Sequence, residues 1–192
     1  MAPSLCTIHY LDVNAAVPTL ALLEPYQAIL VYNDDWFPYA DPAAVGDIVA
    51  SYFDGGGRVV IALFADGGYA ITGAWTANHY NLIAARWVRS SADSFSSAIP
   101  TQDLVPTSAA LAGVTTIVGN ASAWHGTQTV ANGGLPVALW ESGDLLAVTG
   151  VVTDANGRPR NRVDLNIQPT DVASGVYAGD AVRLLANALL YQ

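Results

Sequence analysis

Two continuous apolar runs, Ala28-Ile29-Leu30-Val31-Tyr32 and Val59-Val60-Ile61-Ala62-Leu63-Phe64, flank one stretch of helical periodicity. Runs without polar alternation read as strands buried on both faces, as in parallel sheets covered by helices. Between them, Asp41-Pro42 opens a helix: aspartate is a good N-cap, and proline suits the first helical position. Val45, Ile48, Val49, Tyr52 and Phe53 recur at helical spacing and are expected to face the sheet. Gly55-Gly56-Gly57 then ends the helix, because glycine tolerates a left-handed C-cap. A strand–helix–strand unit of this kind, with a right-handed crossover, commits the chain to an α/β architecture. The expected fold is one α/β domain over residues 1–192: a mixed, mostly parallel sheet with helices on both faces, in three layers.

The remainder is read around that unit. Thr7 to Val13 is rich in β-branched and aromatic residues and is expected to form a strand, with a turn near Asn14. Pro18 to Glu24 suits a short helix. From Asp66 to Ser108 glycine, serine and aromatic residues dominate, and a long excursion with one strand near Leu82 to Val88 is expected. Short strands are expected at 115–118, 128–131, 136–140, 145–151 and 162–167. Asp154-Ala155-Asn156-Gly157 is a hairpin turn signal. A closing helix over 179–190 carries Ala181, Leu184, Leu185, Ala188 and Leu189 as its apolar stripe. Alternating strands and helices early, and strands later, favour one mixed sheet.

Composition narrows the function. All seven positive residues are arginines against sixteen acidic residues, a formal net charge of −9. Nucleic-acid binding, which rests on basic patches, is disfavoured. No basic amphipathic stretch suits an anionic membrane, and no apolar run reaches spanning length. The absence of lysine has two readings, a GC-rich genome or adaptation to a salty or extracellular setting. Cys6 is the single cysteine, so no internal disulfide forms. The start lacks the basic and apolar regions of a signal peptide. The location is therefore cytoplasmic, or extracellular if the chain is a domain cut from a longer one.

The stretch YQAILVYNDDWFPYADPAAVGDIVASYFDGGGRVVIALFADGG resembles the class I glutamine amidotransferase-like superfamily. It is closest to a nucleophile-free branch and more loosely similar to the ThuA-like group. ITGAW at 71–75, LAGVTTIVG at 111–119, RVDLNIQP at 162–169 and GDAVRLLANALLY at 179–191 follow in the family's order. The resemblance implies a flavodoxin-like sheet. The family's usual first strand and helix are not found upstream of Cys6, which implies an incomplete domain or a reshaped sheet edge.

The same resemblance locates what is missing. An amidotransferase of this fold carries a cysteine on a sharp turn after a central strand, with backbone amides beside it for the oxyanion. The matching turn here is Phe64-Ala65-Asp66-Gly67-Gly68. The family's histidine and glutamate fall where this chain has Gln168-Pro169-Thr170. No catalytic residue is therefore assigned, and no cofactor. His9, His79 and His125 fit no metal-binding spacing and read as surface or locally bonded side chains. The glycine runs match no phosphate loop, and the first ends a helix, where the dipole repels phosphate.

In open α/β sheets, ligands bind beyond the carboxyl ends of the strands. Asn33, Asp34, Asp35, Asp66 and Trp75 are the candidates to line such a crevice; loop solvation and helix capping are the plainer reading of the aspartates. Trp36, Trp75, Tyr80, Trp124 and Trp140 either present faces to a sugar or a protein, or plug the core beneath loops. The expected function is a non-catalytic structural or protein-interaction module that contacts itself or another protein through an exposed sheet edge. The alternatives are a ThuA-like sugar-processing enzyme and a carbohydrate-binding module.

Overall fold

The structure, a computed structural model, describes residues 7–33, 39–65 and 70–191, and of residues 85–90 the backbone alone. The expected strand–helix–strand unit is present. Strand β1 (Ala28–Val31) leads through the helix Pro42–Asp54 to β2 (Arg58–Ile61), and the two strands pair in parallel. The short helix α1 (Leu20–Leu23) precedes β1, which makes Pro42–Asp54 α2. The Asp41 carboxylate accepts from the Ala43 and Ala44 amides at 3.0 Å, the N-cap that its position suggests. At the other end Gly56 adopts φ 109°, its amide donates to Phe53 O, and the Gly57 amide donates to Tyr52 O. This is the Schellman pattern, and it stops α2 where the glycine run begins.

The remaining elements are α3 (Gly73–Ala77), β3 (Ile83–Ser90), β4 (Asp93–Ser96), β5 (Thr116–Gly119), β6 (Trp124–Val130), β7 (Leu135–Leu139), β8 (Leu145–Thr153), β9 (Pro159–Leu165), α4 (Pro169–Ala173), β10 (Tyr177–Gly179) and α5 (Ala181–Leu190). The main sheet has the order β1-β2-β9-β8-β7. It is mixed and partly parallel: β1, β2 and β9 pair in parallel, whereas β8 pairs antiparallel with both β9 and β7. Two further antiparallel sheets, β10-β5-β4 and β3-β6, use much of the rest of the chain.

Alternation along β2 places one core on each face of the main sheet. Val59 and Ile61 join Val45, Val49, Phe53, Trp75 and Leu82, beneath α2 and α3. Val60 joins Phe95, Ile117, Trp140, Leu165 and Leu184, under α5 and the sheet that contains β5. Gly46 permits the close packing of α2 on the approach to α3, since a Cβ there would lie 2.0 Å from Thr72 O. No helix of the described residues is long and apolar enough to cross a membrane.

Two expectations are corrected. Thr7 to Val13 is not a strand. Ile8 and Tyr10 are 78% and 77% exposed, and no ladder pairs the segment with β1. β-branched composition favours a pleated surface only where a neighbouring strand supplies one. The excursion before Ser108 is also more ordered than expected, for it holds α3, β3 and β4.

Candidate functional site

The carboxyl ends of the parallel strands converge as the sequence suggests. Asn33 follows β1, Phe64 follows β2 and Gln168 follows β9. The Asn33 amide donates to Leu63 O (3.5 Å), the Leu63 amide to Ile167 O (3.3 Å), and Gln168 Nε2 to Asn33 O (2.9 Å). Asn33 and Gln168 are 2% and 3% exposed. Asp34, Asp35 and Asp66 lie outside the described residues.

Phe64 occupies the sharp turn itself, with φ 69°. Left-handed backbone is unusual for a bulky residue and costs about 1–3 kcal/mol, so the surroundings must hold it there. Its ring is 2% exposed and stands 5.9 Å from that of Trp124. The turn thus aims an apolar plug into the fold.

Trp75 is a core residue rather than a crevice wall. It is 0% exposed, edge-on to Phe53 and Tyr80, and 4.4 Å beneath the Arg162 guanidinium. Tyr80 and Trp140 are buried as well, and Trp124 is half-buried. These aromatics plug the core. Burial and a hydrogen bond to Asp54 push the Tyr80 hydroxyl up to about 12.

Two buried polar clusters were not visible in the sequence. Arg162 and Asp164, two apart on β9 and so on one face, form an interior ion pair. Arg162 Nη1 donates to Tyr80 O (3.1 Å), and Asp164 accepts from the Leu82 amide (2.7 Å). Burial pushes the Asp164 carboxyl up, while Arg162 and the Leu82 amide pull it back. The pair therefore fastens the segment 80–82 to the sheet.

The second cluster surrounds His125, which lies in β6 rather than in a loop and, of the two readings, surface or locally bonded, is the locally bonded one, 0% exposed. Its Nε2 is 3.2 Å from Asp93, 3.6 Å from Asp144 and 3.5 Å from Ser91 Oγ. A serine–histidine–aspartate triad needs serine and carboxylate on opposite ring nitrogens. Here all three oxygens meet one nitrogen, which is the geometry of a structural anchor. His79 sits in an exposed turn, and His9 is exposed with its ring 5.5 Å from that of Tyr26. Among the described residues no group of His, Cys, Asp and Glu side chains could hold a metal ion.

The open cavity lies at the other end of the same strands. It measures about 630 Å³ and is bounded by Tyr26 and Gln27 before β1, Gly55 to Arg58 after α2, Pro159 to Asn161 at the start of β9, and Tyr191. Arg160 crosses its floor, donating to Gly56 O (2.5 Å), Gly57 O (3.2 Å) and Phe53 O (3.5 Å). These are carbonyls at the end of α2, and a cation there complements the helix dipole. Tyr52, buried behind Gly57, donates to Tyr26 O at 2.9 Å. Sequence reasoning missed this groove, because its walls come from four distant stretches of chain.

Comparison with family models, with curated proteins and with solved structures finds no match to this chain.

Proposed function

We propose that the chain is a non-catalytic interaction module on a class I glutamine amidotransferase-like, flavodoxin-like scaffold, acting through contact with itself or with another protein. Phe64 carries the reading. At the turn where the resemblance places a nucleophile, a strained, left-handed residue is kept, but its side chain is a buried phenyl ring. Gln168, where the resemblance places the base, is spent on Asn33 O. Backbone shape without a nucleophile or base suits a scaffold put to another use.

The contact surface follows from the sheet order. Strand β1 ends the main sheet, and Ala28–Val31 carries none of the lysine, proline or charge that blunts exposed edges. The exposed Ile8, Tyr10 and Leu11 of the preceding segment add apolar area that no described strand covers.

Incubation with glutamine is expected to release no ammonia; release that disappears in Cys6→Ala would overturn the non-catalytic reading. Light scattering over a concentration series, with amide exchange at β1, tests the edge. A mass that rises as the β1 amides gain protection is expected. A constant monomer mass with β1 already protected would defeat it.

A further inference from the structure

Charge is distributed unevenly among the arginines. Arg158 faces Asp154, Arg162 faces Asp164 and Arg183 faces Asp180. Among the described residues, Arg58 and Arg160 alone of the arginines with described side chains pair with no carboxylate, and both line the groove at the amino ends of β1, β2 and β9. In a chain of net charge −9, two such cations against a single lining carboxylate, Glu24, leave an excess of positive charge at one cavity, an anion-binding arrangement.

The walls narrow the class of anion. Arg160 neutralises the carbonyls at the end of α2, but the dipole of that helix still points its negative end into the groove. A compact dianion such as phosphate meets that field directly. A singly charged carboxylate on a larger neutral body can set its charge against Arg58 and its body elsewhere. Tyr26 and Tyr191 supply half-buried aromatic rings, and Asn161 and Glu24 supply an amide and an acceptor for hydroxyl groups. The volume lies in the range of small-molecule sites, about 300–1,000 Å³.

We propose that this groove binds an acidic sugar, its carboxylate on Arg58 and Arg160 and its ring among Tyr26, Tyr191 and Asn161. The site lies at the opposite end of the strands from Phe64, and it stands whether or not the chain also associates with a partner.

The test is an amide chemical-shift titration of the full chain with galacturonic acid and its trimer, with galactose and inorganic phosphate as controls. Shifts are expected at Gly55 to Arg58 and at Asn161, with galactose about tenfold weaker or more, as the loss of a charge-assisted contact implies. Phosphate is expected not to displace the trimer. Arg58→Gln is the clean variant, since among the described residues the one side-chain hydrogen bond of Arg58 is the long contact to Gln27 O at 3.4 Å. It is expected to weaken binding at least about tenfold with an unchanged melting midpoint. Equal affinity for galactose, displacement by phosphate, binding unaltered in Arg58→Gln, or no shifts at the groove would each overturn the proposal.

Discussion

The two ends of the parallel strands β1, β2 and β9 have opposite characters. At the carboxyl ends, where α/β sheets usually bind ligands, Phe64 is plugged inward and the buried Gln168 side chain donates to Asn33 O. At the amino ends, α2 stops early at its glycines, and the gap is bordered by arginines and tyrosines. The topology supplies the position of a crevice at both ends. The side chains decide which end is filled. Among the described residues, a large apolar residue on the turn packs inward at one end, and residues without side chains at Gly55 to Gly57 border the groove at the other.

Strand β9 joins the two ends and gives the largest expected effect. Arg160, Arg162 and Asp164 alternate onto one face, the first at the groove and the last beside Leu82. Asp164→Ala leaves a buried guanidinium without its partner and the Leu82 amide without an acceptor. Breaking such a pair costs about 3–5 kcal/mol. Urea denaturation should show a loss of that size, whereas Arg58→Gln should alter the groove alone. A loss below about 1 kcal/mol, the range of a surface pair, would show that the pair does not tie the strands together.

A smaller effect probes the filled end. Phe64→Ala and Phe64→Gly both empty the plug, and both should destabilise. Glycine meets no penalty at φ 69°, so Phe64→Gly should be the more stable of the two by about 1 kcal/mol. Equilibrium unfolding of both variants measures the difference. If alanine proved better than glycine, the turn would not be strained, and the filled end would owe its shape to packing alone.

What the sequence revealed follows the same division. The β1–α2–β2 unit was legible because its signals are local: an aspartate–proline cap, an apolar stripe, a glycine stop and two apolar runs. The closing helix and the 154–157 hairpin turn were legible for the same reason. Strand β4 was not. Asp93–Ser96 is polar except for the buried Phe95, and pairing with β5 makes it a strand. Thr7 to Val13 shows the converse, strand-like composition without a partner. At the sites, Asn33 does follow β1 but is buried there, and Trp75 was drawn into the core by Arg162 and Phe53, contacts made across the fold. Nothing in the order of the residues marked Arg58, Arg160 and Tyr191 as neighbours.

The smallest expected effect concerns a carboxylate outside both ends, and it decides how the groove can be titrated with acid. Asp180, ahead of α5, accepts from the Thr115 amide at 2.8 Å and the Thr115 hydroxyl at 2.7 Å, then from the Thr116 amide at 3.3 Å, with Arg183 3.8 Å away. The Thr115 bonds in particular favour the charged form and hold the carboxyl below its ordinary value. A carboxylate depressed in the folded state stabilises the fold fully above its unfolded value, about 3.9, and loses that contribution as pH falls through its folded value. Wild type and Asp180→Asn should therefore differ in melting midpoint above pH about 5 and converge under strong acid. The gap should be small, about 1 kcal/mol after solvent screening, or roughly 2–4 °C for a chain of this size. The carboxyl of an acidic sugar titrates at about 3–4, the ordinary carboxyl range. Binding lost in that window in wild type and in Glu24→Gln alike, while the wild-type midpoint still exceeds that of Asp180→Asn, comes from protonation of the sugar. Binding that persists once the sugar is neutral would mean that Arg58 and Arg160 do not read its charge, and the contrast between the two ends would then rest on shape alone.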